Sequence, residues 1–160
     1  MAAEPRRVPR IAVDAILLHG TRLVLVKRGA PPFLGRYALP GGGVEWSERL
    51  EDAVVREVRE ETGLESEVQR LLGVYGDPHR DPRGHTISIA YVLRSTGGSL
   101  TAGSDAAGTR LVAPSRVPHL AFDHDRIVRD YRRTVGRTLT GSAPWGATAP
   151  SRGPARTRSR

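Results

Sequence analysis

Three glutamates, Glu57, Glu60 and Glu61, fall on the same side of a helix as residues that must be buried, and this limits what the chain can become. Ser47 to Thr62 carries apolar residues at Leu50, Ala53, Val54 and Val58, the spacing of one helical face. Ser47 is placed to cap its start and Gly63 to stop it. At about 100° per residue with Leu50 at zero, Val54 lies at about 40°, Val58 at about 80° and Ala53 at about 300°. On the same wheel Glu57 falls at about 340°, Glu61 at about 20° and Glu60 at about 280°. A glutamate cluster is ordinarily a solvated surface. Here Asp52 and Arg56, neighbours at i and i+4, already supply a polar face on the other side.

Carboxylates this close repel one another, and near a helix C-terminus the macrodipole disfavours each by roughly 0.3 to 1 kcal/mol. A hard divalent cation offsets both effects, and Mg²⁺ in particular pairs a few carboxylates with the phosphates of a substrate. Gly41-Gly42-Gly43, just ahead of the helix, reads by itself as a turn. Beside the acids, a backbone bare of side chains brings a carbonyl to the metal and lets a phosphate approach closely. Metal-bound water is acidified and needs no covalent nucleophile, so the chemistry expected is hydrolysis of a phosphate anhydride.

From Gly42 to Leu64 the chain resembles the Nudix hydrolase signature: a glycine, five residues, Glu48, seven residues, then Arg56-Glu57-Val58-Arg59-Glu60-Glu61-Thr62-Gly63-Leu64. The resemblance implies an α/β fold, a Nudix-type α/β/α sandwich with a mixed β-sheet. It implies hydrolysis of a nucleoside diphosphate linked to another moiety, with Mg²⁺ or Mn²⁺ as cofactor. It makes Glu57, Glu60 and Glu61 metal-coordinating or base residues, the Gly41 carbonyl a metal ligand, and Arg56 and Glu48 orienting residues of helix and loop. Many family members carry glycine where this chain has Ser47, and serine is expected to cap the helix there.

Pro31-Pro32-Phe33, Ala38-Leu39-Pro40-Gly41-Gly42, Arg80-Asp81-Pro82-Arg83-Gly84 and Leu120-Ala121-Phe122-Asp123-His124 look like the ADP-ribose pyrophosphatase-like branch. The substrate so implied is ADP-ribose or a related nucleotide sugar. One departure is Gly108-Thr109-Arg110-Leu111, where that branch often carries an aromatic residue. Arg80 and Arg83 are expected to present guanidinium forks beyond the sheet edge to the phosphates or terminal ribose, with Gly41 and Gly42 as the other substrate-binding positions. The competing readings are a nucleoside triphosphate or RNA-cap pyrophosphohydrolase and a non-catalytic nucleotide-sensing regulator. Asp77, Asp81 and Asp105 stand beside the helix glutamates as candidates for the general base. His79, His85, His119 and His124 lack metal-ligand spacing and read as ordinary polar residues.

Around the helix, Ile11–Leu18 and Leu23–Val26 read as a hairpin with Asp14 in the middle of its first strand. Gly29–Gly35 reads as a loop, Tyr37–Leu39 as a short strand ended by Pro40, and Val68–Val74, Thr86–Leu93 and Thr109–Val112 as further strands. Gly97–Gly108 reads as a glycine-rich connection, and Asp123 as the cap of a last helix from His124 to Val135. The expected layout is an N-terminal extension over 1–10, a hydrolase domain over 11–135 and a disordered basic tail over 136–160.

The net charge of +8 belongs mostly to that tail, since Tyr131 to Arg160 holds seven arginines and no acid, leaving 18 basic and 17 acidic residues before it. A nucleic-acid contact through the tail is therefore the less favoured reading, and a small-molecule nucleotide the favoured partner. A homodimer stays open. The absence of cysteine removes thiolate metal sites and cysteine nucleophiles. With no apolar signal core or membrane-length segment, a cytoplasmic, membrane-free setting is expected.

Overall fold

The computed structural model describes residues 7–101 and 106–138. Its elements run β1 (Arg10–His19), β2 (Arg22–Arg28), β3 (Tyr37–Ala38), β4 (Gly41–Gly43), α1 (Leu50–Thr62), β5 (Leu64–Tyr75), β6 (Thr86–Gly98), β7 (Ala106–Val112), a short 3₁₀ turn (Pro114–Arg116) and α2 (His124–Thr138). The main path of the sheet is β3-β2-β1-β6-β5, with β4 added to β1 and β7 to β2. Because β1 and β6 run parallel while the other pairs are antiparallel, the sheet is mixed.

Alternation along β1 explains the layers. Val13, Ala15 and Leu17 join Ala53, Val54 and Val58 of α1 in one core, whereas Ile16 joins Ile127, Val128 and Tyr131 of α2 in another. Each fully buried leucine or isoleucine in these cores contributes roughly 1.5–3 kcal/mol. The result is the expected α/β/α sandwich, with Asp14 buried on the α2 side where an apolar residue would ordinarily stand.

β1 and β2 pair only at the turn end, Leu18 with Leu23 and His19 with Arg22, and then the sheet forks. On the inner edge of one arm, β1 pairs β4, with Ala12, Val13 and Asp14 opposite Gly43, Gly42 and Gly41. On the other arm β2 pairs β3, with Val26 opposite Ala38 and Lys27 opposite Tyr37. Leu39 and Pro40 cross between the arms. Pro40, expected to end pairing, still uses its carbonyl, which accepts the Ala15 N–H at 2.8 Å.

The glycines read as a turn are therefore a strand. An added Cβ at Gly41 would come within 2.2 Å of the Val13 carbonyl, so only glycine lets β4 lie this close to β1.

The helix begins at Leu50 rather than Ser47, with Arg49 in the cap position and no side-chain cap bond. Ser47 instead takes a left-handed conformation, φ 63°, in the turn before it. That turn is closed by Glu48, whose carboxylate accepts the Glu45 N–H at 2.9 Å, so the serine hydroxyl has no capping role to fill. Gly63 does end the helix, with φ 72° and its N–H on the Arg59 carbonyl.

Strands β5, β6 and β7 run beyond their expected ends, taking in part of the glycine-rich connection, since ladder bonds need no side chain. The last helix continues through 136–138, where the tail was expected to begin. Expectations for 1–6 and 139–160 lie outside the described residues. Among the described residues no helix is long and apolar enough to cross a membrane.

Candidate active site

Arg56 holds the signature together. Its guanidinium donates to Glu48 at 2.7 and 3.0 Å, to Glu57 at 2.9 Å, to Glu60 at 3.2 Å and to the Gly43 carbonyl at 3.0 Å, tying the helix to the preceding loop. The hydrogen bond from Arg56 lowers the Glu48 carboxyl to about 2, so it stays ionised.

Glu61 is oriented from the opposite direction. Its carboxylate accepts the Gly41 N–H at 2.9 Å, and burial first, then the like charges of Glu57 and Asp14, push its pKa up to about 8. Glu57 is raised by burial too, although Arg56 opposes the shift. A Cβ at Gly42 would fall 2.4 Å from a Glu57 carboxylate oxygen, so the second glycine is what admits that acid to the site. Glu60 is separated from this pair: its side chain is 54% exposed at the rim, on Arg56.

Among the described residues no three acids or histidines form a ready-made metal cage, because Arg56 occupies Glu57 and Glu60 while Gly41 holds Glu61. The donor set still fits a hard divalent ion. Glu57 and Glu61 are neighbouring, largely buried carboxyls with raised pKa values, no ion pair among the described residues reaches Glu61, and the groups offered beside it, carboxylates and the Gly41 carbonyl, are hard oxygen donors.

Arg80 corrects the expectation that it reaches solvent. Its side chain is 4% exposed and donates to Asp123 at 2.6 Å and to Asp14 at 3.4 Å. Asp14, needing partners in a core, also accepts from Ser88 Oγ at 2.5 Å and faces His124 Nε2 at 3.4 Å. His124 Nδ1 accepts the Leu39 N–H at 3.0 Å, which places the ring proton on Nε2 towards Asp14, and burial lowers its pKa so that it stays neutral. His124 is thus a structural member of the site rather than a scattered polar residue. Asp14 is visible as a charge inside an apolar strand, but its partners come from residues 66 to 110 positions away.

Arg83 does stand at the surface as expected, half-exposed, braced by Asp81 at 2.8 Å. Asp81 is engaged by Arg83, Arg10 and Thr86, and Asp77 accepts the His79 N–H at 2.8 Å; Asp105 lies outside the described residues.

A cleft of about 1010 Å³ lies in the fork, lined by Asp14, Gly41 and Gly42, by Glu61 of α1, by Arg28 at the end of β2 and by the loop residues Arg83 and Phe122. The sequence pattern gives Arg28 no role and carries Phe122 only within the branch-like segment Leu120-Ala121-Phe122-Asp123-His124. Arg28 is the last residue of β2, and its Nε donates to the Pro32 carbonyl at 2.7 Å.

The family model for the NUDIX domain matches residues 8–131. The chain is 51% identical over 125 residues to the ADP-ribose pyrophosphatase of Methanocaldococcus jannaschii, covering 78% of this chain and 74% of that one. The fold is similar to the NUDIX domain of Shewanella oneidensis NrtR complexed with ADP ribose, with TM-score 0.71, 25% identity and coverage of 84% of this chain and 94% of that one. It is also similar to a MutT/nudix family protein from Enterococcus faecalis, with TM-score 0.69, 27% identity and coverage of 85% of this chain and 66% of that one. With the signature glutamates gathered at one fork of the sheet and the family model spanning most of its length, the chain belongs to the NUDIX domain family and is a Nudix pyrophosphohydrolase similar to its ADP-ribose pyrophosphatase-like branch.

Proposed function

We propose that the protein hydrolyses ADP-ribose, or a closely related nucleotide sugar, at its pyrophosphate, with Mg²⁺ or Mn²⁺. One observation carries this reading: the cleft is lined by the Asp14 and Glu61 carboxylates and by the Arg28 and Arg83 guanidinium groups, so that a pyrophosphate fits between charges of both signs. The identity to an ADP-ribose pyrophosphatase across most of both chains supports the choice of substrate.

Glu57 and Glu61, with the Gly41 carbonyl and with Glu60 from the rim, are the groups that would hold the ion. When bound, it supplies neutralisation of charge on the phosphate oxygens and acidification of water. Arg56 and Glu48 keep the helix and loop in register so that these oxygens stay converged. Arg83 and Arg28 bind phosphate oxygens, Gly42 leaves room for their approach, and Arg80 holds the loop that carries Arg83. Water adds to one phosphorus, the bridging P–O bond breaks, and AMP and ribose 5-phosphate leave.

The test is a product screen by chromatography with ADP-ribose, NADH, nucleoside triphosphates and diadenosine polyphosphates, each with Mg²⁺ or Mn²⁺. Turnover of ADP-ribose that stops in excess EDTA is the expected result. Turnover of a nucleoside triphosphate without ADP-ribose would reject the substrate, full activity in EDTA would reject the metal, and no turnover of any compound would favour a sensing role.

A further inference from the structure

Both phenylalanines of the chain stand at one side of the cleft, on separate loops, and both hold backbone angles that bulky residues avoid. φ is 63° at Phe33, between β2 and β3, and 55° at Phe122, just ahead of α2. Their rings meet edge to face, with centroids 4.9 Å apart and planes at 70°. The Phe122 backbone is pinned on three sides. The Ala121 N–H donates to the Tyr37 carbonyl at 2.8 Å, Asp123 grips Arg80, and His124 accepts the Leu39 N–H. Strain of this kind persists only where the surroundings over-determine it, and what it fixes here is the direction of the ring.

The ring meets two cations. The Arg28 guanidinium lies 4.8 Å from its centroid and that of Arg83 5.3 Å. They arrive from different elements, and each is near enough to the other for their charges to repel. Arg83 has Asp81 as a brace, but among the described residues no carboxylate lies within ion-pair distance of Arg28. An acid in the place of Phe122 would gather both guanidinium groups but cancel their charge and compete with phosphate. An aromatic face attracts cations through its quadrupole and leaves their charge intact.

We propose that Phe122 is a positioning residue whose ring holds Arg28 and Arg83 side by side at the cleft, so that the pair engages the two phosphates of a pyrophosphate together. This rests on the reading above that the substrate carries such a group.

Calorimetric titration of the full chain with inorganic pyrophosphate, without added metal, tests it apart from turnover. Phe122→Leu, which keeps apolar bulk and removes the aromatic face, should weaken pyrophosphate binding about tenfold, whereas Phe122→Tyr should stay within about twofold of wild type. With ADP-ribose and Mg²⁺, the leucine variant should raise KM by a similar factor with kcat within about twofold, as for binding shared by ground and transition states. Arginine side-chain NMR of the wild type needs no variant to fold: the Arg28 and Arg83 Hε resonances should be shifted upfield by the ring. Equal pyrophosphate affinity in wild type and leucine variant, a tyrosine variant as weak as leucine, a loss confined to kcat, or unshifted Hε resonances would each overturn the proposal. Wild type that binds pyrophosphate as described yet leaves ADP-ribose intact rejects the substrate and upholds the role of Phe122.

Discussion

Arg80 and Asp123 are locked together by three hydrogen bonds, from Nη2 at 2.6 Å and from Nε at 3.0 and 3.1 Å, at the wall of the cleft that Arg80 lines. Removing one side of a buried charge network leaves its partners unpaired, so Arg80→Ala should cost about 3–5 kcal/mol of stability. Arg83 is half-exposed, with Asp81 as its ion-pair partner and the Phe122 ring beside it, so Arg83→Ala should cost less than about 1 kcal/mol. Urea denaturation of the two variants measures both. Equal losses would contradict the assignment of Arg80 to the interior.

Gly42→Ala separates chemistry from folding. The new methyl group meets the Glu57 carboxylate, the movable end of a side chain, rather than backbone. Stability should therefore change by less than about 1 kcal/mol while kcat falls by about tenfold to a hundredfold, the scale of a displaced metal-binding or proton-transfer group. Unchanged kcat would show that the Glu57 position is immaterial.

The Glu61 carboxyl is raised from an ordinary 4.5 to about 8 in the folded protein. Below the unfolded value both states carry the proton. As pH rises, the unfolded state releases it first, so this group's contribution to stability falls between about pH 4.5 and pH 8. Glu61→Gln cannot ionise, so the stability difference between variant and wild type, measured by thermal unfolding without metal, should grow in the variant's favour across that window. Saturating Mg²⁺ or Mn²⁺ should reduce the wild-type loss by binding the folded state. A difference independent of pH would mean that Glu61 ionises freely.

Ser47→Gly should stabilise the protein by about 1 kcal/mol, because φ 63° is costly for serine and free for glycine, and the serine caps nothing. Equilibrium unfolding reads it directly; a destabilised variant would point to a role for the hydroxyl.

Ser47 also marks where sequence reading stops. Local signals placed α1, its Gly63 stop and the strand pattern, because periodicity and chain punctuation depend on near neighbours. Whether a serine before a helix caps it or turns left-handed depends on what closes the turn, and that was the Glu48 carboxylate. The same divide runs through the site. Glu48, Arg56, Glu57 and Glu61 were legible because they share one helix and its approach. Asp14, Arg28, Phe122 and His124 meet only after β1, β2 and α2 are assembled, and the inward turn of Arg80 follows from partners 43 and 66 residues away.

The fork between β1 and β2 carries a last consequence. Ala38 on one arm and Gly41 on the other are joined by three peptide steps, which at full extension span at most about 11 Å. Leu39 and Pro40 therefore act as a tether of fixed length between the two arms. The arms cannot part further without breaking the ladder at Ala38 or at Gly41. The covalent length of one short crossing thus bounds how far β3 and β4 can separate, independently of the charges that line the cleft.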